Sequence, residues 1–229
     1  VGRPFYLIIS LVMAAVIVFG FAHTVPRDFT RTPALPILFH VHGAVFTLWV
    51  MLFVAQPAFI ARGSVALHRK VGMIGAGVAA AMVVMGISAT VYAVHEGFVP
   101  DFFPPRLFLV MNLLNVATFA TLVTAGIAMR RRAEWHKRLM LCASVAILGP
   151  ALGRMLPMAA MGKAAPAVMF AIILMFAFAG VVADLIIRRR VHPAYYWAIG
   201  AIVLSIVLIP VLAFSPPAGA LLHLIRPQA

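Results

Sequence analysis

The chain has 229 residues, of which 65% are apolar and only 10% charged, with a formal net charge of +13. Water-soluble domains carry about 25% charged residues, so one soluble core cannot hide this much apolar surface, and lipid must cover it. A helical span needs about 20 residues. Seven spans with short connections therefore use the whole length, leaving one domain, residues 1–229, and no room for a soluble one.

The first apolar stretch runs from about Phe5 to Ala22, with Arg3 before it. It has the weak look of a secretory leader and reads as a true span or an uncleaved anchor. The second runs from about Pro36 to Ala61, with Pro33 and Pro36 at its start, and the third from about Val71 to Val94. The third is rich in small residues, including Gly72, Gly75, Gly77 and Gly86. Small residues let backbones approach in lipid, so it is expected to be the central packing helix. The fourth begins near Pro105, a residue suited to a first helical turn, and ends before Arg130. The fifth runs from about Lys137 to Met161, the sixth from about Ala164 to Ile187, and the seventh from about Tyr195 to Phe214. Ser215-Pro216-Pro217 is expected to stop the last helix and leave a short tail.

The cations are grouped by connection. Arg62, Arg69 and Lys70 follow the second span; Arg130, Arg131, Arg132, Lys137 and Arg138 follow the fourth; Arg188, Arg189 and Arg190 follow the sixth. Alternating spans put all three groups on one side, and cationic loops face the cytoplasm. The opposite connections carry Arg27, Arg31, Arg106 and Lys163, offset by Asp28, Glu96 and Asp101. The expected architecture is an all-α polytopic membrane bundle of about seven helices, N-terminus cytoplasmic and C-terminus outside. The bilayer is its solvent, and the positive charge serves topology, with no nucleic-acid partner. Trp135 and Tyr195-Tyr196-Trp197 fall where an interfacial aromatic belt belongs. The single cysteine, Cys142, lies inside a span, forms no disulfide within the chain and reads as a small buried apolar residue.

Polar groups within hydrocarbon carry most of the chemical information. His42, Phe46, Trp49, Phe53 and Gln56 recur at spacings of four and three, which sets them on one helical stripe. The stripe reads either as a hydrogen-bonded face between helices or as a ligand or cofactor face. His40 lies on the other side of that helix, so the two histidines cannot chelate one metal. The fourth span supplies Asn112 and Asn115. The fifth supplies Arg154, about five turns beyond His136, so these two mark the ends of one face unless Pro150 kinks it. An arginine at that depth needs an anion, backbone carbonyls or an outward route to phosphates. His42, Asn112 and Arg154 share a depth and form the first candidate site.

A second group lies at the inner boundary, where His68-Arg69-Lys70 and Trp135-His136-Lys137-Arg138 open helices. It reads as headgroup anchoring, or as a place for a haem or an anionic group held by His68 and His136. Asp184 is placed to pair with one of these cations. No zinc motif, phosphate loop or serine nucleophile elbow is present. No catalytic or metal-binding residue is assigned.

The chain resembles a family of uncharacterised multi-span bacterial membrane proteins. The likeness covers about residues 5 to 155. It rests on Phe5-Tyr6 to Gly20-Phe21, His40-Val41-His42 with Trp49 and Gln56, His68-Arg69-Lys70-Val71-Gly72, and His136-Lys137-Arg138-Leu139-Met140. It implies a bacterial inner-membrane location and no particular reaction. A looser likeness to transmembrane haem b cytochromes implies haem between histidines on different helices. His42 has no histidine partner at its depth, His23 and His95 lie near outer ends, and His68 and His136 pair only at the membrane edge. Three functional readings follow. The first is a non-catalytic accessory subunit or small-ligand-binding protein of an energy-transducing complex. The second is a haem b or quinone-linked electron carrier. The third is a small transporter, against which stand the lack of a repeat and of a clearly broken helix pair.

Overall fold

The structure is a computed structural model that describes residues 3–22, 24–30 and 34–226; His23, Arg31 and Pro33, and the side chains of Arg27 and Asp28, lie outside the described residues. The helices are α1 (Arg3–Ala22), α2 (Val25–Thr30), α3 (Ile37–Ala61), α4 (Val65–His95), α5 (Pro105–Ala128), α6 (Ala133–Ala146), α7 (Gly149–Met155), α8 (Met158–Met161), α9 (Ala165–Arg188), α10 (Pro193–Ala213) and α11 (Pro216–Ile225). A 3₁₀ turn, Gly162–Ala164, joins α8 to α9. Among the described residues there is no strand.

Six helical segments are long and apolar enough to cross a membrane, and the bent pair α6 and α7 makes a seventh. The chain is thus a polytopic helical membrane bundle. Its exposed apolar side chains, such as Leu48, Met51, Ile74, Phe178 and Ile186, are what a lipid-facing surface requires. α3 packs on α1 and α4, α4 on α5, α5 on α6 and α10, and α9 closes against α6, α7 and α10.

The centre of the bundle is α6. Leu139, Leu141, Cys142, Ala143 and Val145 are at most 3% exposed, and the helix meets α1, α5, α9 and α10. This corrects the expectation that the glycine-rich third span is central. A Cβ on Gly75 or Gly77 would meet nothing within 4 Å; only Gly86 is close-packed, against Val116 of α5. Small side chains permit close approach, but neighbouring helices must be there to use it.

Two sequence boundaries and one placement change. The fifth span breaks at Ile147 and Leu148, and α7 departs from α6 at 44°. Gly149-Pro150 starts a new helix there, since proline suits a first turn and cannot continue an old one. His136 and Arg154 therefore do not share one straight face, and a broken span is present where none was expected. Pro216 and Pro217 likewise begin α11 where a plain tail was expected. Finally, Tyr195 is only 1% exposed, so it belongs to the core; Tyr196 and Trp197 remain exposed.

α1 is held at two heights. Ser10 and Met13 are fully buried. Near its end, a Cβ on Gly20 would lie 2.5 Å from the Ala151 carbonyl oxygen of α7. Backbone touches backbone there, which only glycine allows.

Candidate functional site

The stripe on α3 faces its neighbours throughout. The His42 ring stacks on Phe46 with centroids 4.1 Å apart, and its Nδ1 lies 3.4 Å from the Met85 carbonyl of α4. Trp49 meets Phe119 of α5 edge-on at 5.2 Å. Gln56 reaches the start of α4. The stripe is thus an interhelical face, polar at both ends.

At the outer end, His42, Asn112 and Arg154 do not form one hydrogen-bonded cluster. Asn112 donates from Nδ2 to the Phe108 carbonyl one turn back, at 2.8 Å. Such a bond satisfies the amide within its own helix. Arg154 is exposed. It donates to Thr24 Oγ1 at 3.1 Å and to the Pro150 carbonyl at 2.9 Å, and lies over the Phe21 ring at 4.3 Å. Its guanidinium is still within electrostatic range of His42. Asn115, one turn further along α5, is the amide that approaches the α6–α7 break, 3.9 Å from where a Gly149 Cβ would sit.

At the other end, His68 of α4 and His136 of α6 do come together. Their ring centroids are 6.1 Å apart and their planes nearly perpendicular at 82°. His136 Nδ1 lies 2.8 Å from the Gly126 carbonyl of α5. A carbonyl only accepts, so Nδ1 carries the proton and Nε2 is left with a lone pair.

His68 meets Gln56 of α3. The Gln56 amide satisfies its surroundings when its oxygen accepts from Gly72 N–H at 3.2 Å and its nitrogen donates to the His68 carbonyl at 3.1 Å and to His68 Nδ1 at 2.5 Å. In that orientation the amide donates to His68 Nδ1, and the ring also faces the Gln56 backbone carbonyl, so Gln56 is the residue that His68 leans on.

Two imidazoles on one metal ion would stand with centroids about 6 Å apart, given metal–nitrogen bonds of about 2.0–2.1 Å. The spacing fits a shared metal, which a histidine ligates through whichever ring nitrogen carries its lone pair. His42 cannot replace either histidine. It lies fourteen residues, or about 21 Å of helix, from Gln56. Among the described residues no group of three or more metal-binding side chains converges.

Beside this pair, two of the three arginine-bearing connections meet in one ion network, and the contact of His68 with His136 brings the third to the same end of the bundle. Arg138 and Asp184, both fully buried, pair through Nε to Oδ2 at 2.9 Å and Nη2 to Oδ1. Asp184 is thus partnered with a cation, as its position in the sequence suggested. Its Oδ2 also accepts from the His192 backbone N–H at 3.1 Å. Glu134 binds Lys137 Nζ at 2.6 Å, Arg138 Nη1 at 2.7 Å and Arg188 Nη1. Tyr195 lies against the Arg138 guanidinium, 5.6 Å from ring centroid to Cζ. The helix-opening motif of α6 is therefore spent mostly inside the protein, and its Arg138 is a structural cation.

Compared with family models, characterised proteins and solved structures, the chain matches none.

Proposed function

We propose that the chain is a non-catalytic accessory or small-ligand-binding component of a larger energy-transducing complex. In this reading its arginine-rich end faces the cytoplasm of a bacterial inner membrane, as cation-rich loops do. The carrying observation is the approach of His68 and His136, whose ring centroids are 6.1 Å apart beside the buried ion network. Two imidazoles so placed suit a polar ligand, such as a hydroxyl or carbonyl compound. The absence of any catalytic motif in the sequence agrees with it.

A quinone-linked carrier is the second reading, and the same pair favours it. A quinone carbonyl would accept from an imidazole N–H of the pair, and a quinol hydroxyl would donate to His136 Nε2. In the haem b form of this reading the iron would stand between the two imidazoles. The transporter reading has one bent span behind it, where transporters pair two across their halves.

The test is an absorption spectrum of the protein purified in mild detergent, oxidised and then dithionite-reduced, with organic extraction of bound quinone and identification of co-purifying subunits. The expected result is no haem band, with partner subunits or a small extractable ligand retained and lost in His136→Ala. A sharp reduced haem band removes the proposal, and so does a protein that carries neither ligand nor partner.

A further inference from the structure

Where α9 hands over to α10, two concavities adjoin. One, of about 400 Å³, is lined by Arg188, Arg190, Val191, His192 and Pro193. The other, of about 310 Å³, is lined by Phe178, Val181, Val191, Tyr195, Tyr196 and Ile199. They share Val191. The first is cationic and lies at the membrane edge. The second is almost wholly apolar and runs along both helices toward the hydrocarbon. From Arg188 back to Phe178 is ten residues of α9, or about 15 Å, comparable to much of an acyl chain crossing one leaflet of a ~30 Å core.

The chemistry of the mouth selects for negative charge. None of the residues that line the mouth is acidic, and Arg190 is exposed beside it; Glu134 engages Arg188 from α6, and Asp184 is taken by Arg138. His192 Nδ1 accepts from the Ala194 backbone N–H at 3.1 Å, capping α10. Its ring therefore presents an Nε2–H donor. The N-terminus of α10 adds its positive dipole end. Exposed Tyr196 and Trp197 sit at the same level, as interfacial aromatics do.

We infer that this junction holds one anionic phospholipid, its phosphate among Arg188, Arg190 and His192 and one acyl chain along Phe178, Val181, Tyr196 and Ile199. The site is independent of the His68–His136 pair, and its test does not depend on the function proposed above.

The experiment is native mass spectrometry of the full chain in detergent, titrated with phosphatidylglycerol or phosphatidylcholine. The variants are Arg190→Gln, Ile199→Trp to fill the groove, and Tyr196→Ala to open its wall should the tryptophan impair folding. The wild type is expected to retain one phosphatidylglycerol in preference to phosphatidylcholine. Arg190→Gln should bind it about fivefold more weakly, the factor set by about 1 kcal/mol per interfacial cation. Either groove variant should weaken it as well, and inorganic phosphate should not displace it. Equal retention of both lipids, or unchanged binding in all variants, overturns the inference. Displacement by phosphate with no effect of the groove variants also overturns it, leaving a simple anion pocket. A protein subunit found on this face and released by the same variants overturns it too.

Discussion

Arg138 and Asp184 lie 46 positions apart in sequence and face each other side by side with no exposed surface on either. Two charges removed from solvent are tolerated only while each has the other. Asp184→Asn should therefore cost about 3–5 kcal/mol and lower the midpoint of thermal unfolding in detergent. The double variant Arg138→Met with Asp184→Leu should regain most of that loss. A double variant no more stable than the single would show that Arg138 is held chiefly by Glu134.

Gly180 of α9 is fitted to Tyr195 of α10. A Cβ there would lie 2.1 Å from the tyrosine oxygen and 2.6 Å from Cζ. Gly180→Ala should destabilise by about 1–3 kcal/mol through overpacking. Adding Tyr195→Phe should relieve only part of it, because the ring carbon also clashes. Full recovery in the double variant would mean that the hydroxyl alone makes the contact.

His192 gives the protein an acid-sensitive joint. Burial, then the charges of Arg138 and Arg188, holds its imidazole below the ordinary value of 6.5. The unfolded chain takes up the proton first, so stability is present above pH of about 6.5 and falls as the pH drops toward the folded value. His192→Asn keeps a capping side chain but does not titrate. Between about pH 5 and 7 its unfolding midpoint should vary less than the wild type's. Parallel curves for the two proteins would contradict this.

The Gln56 amide packs against His68. Where that amide donates to His68 Nδ1, Gln56→Ala should free the nitrogen to carry a proton and give Nε2 a lone pair, so that both histidines can share a metal. Zn²⁺ affinity, measured by competition with a coloured chelator, should then rise by about tenfold, the lower range of what second-shell partners control. Zn²⁺ binding unchanged by the substitution, yet lost in His136→Ala, would show that the amide does not govern the tautomer.

The bundle was readable in the sequence because lipid and loop differ so strongly. Apolar length marked the spans, and the alternation of arginine-rich connections marked one end, where Glu134, Arg138, Asp184 and Arg188 indeed meet. The inner histidine pair was partly readable, since each histidine opens a helix at that end. Its hydrogen-bond partners were not, because Gln56 and the Gly126 carbonyl are supplied by other helices. The bonding within the outer group was not readable, for a local reason. Asn112 and Arg154 both bond carbonyls one turn back, and a shared depth says nothing about that choice. The prolines misled once, because Pro216-Pro217 ends nothing that Ser215 had not already ended and instead opens α11.

The contact between Gly20 and Ala151 joins α1 to the second half of the fifth span. During synthesis, α3 is complete at Ala61 and α7 starts only at Gly149, so α1 must wait beside α3 while α4, α5 and α6 are made. Closure of the bundle is therefore a late event that depends on long-range docking, the kind that slows folding. Until then one flank of α1 is open to lipid or to any membrane chaperone that recognises an unfinished helix.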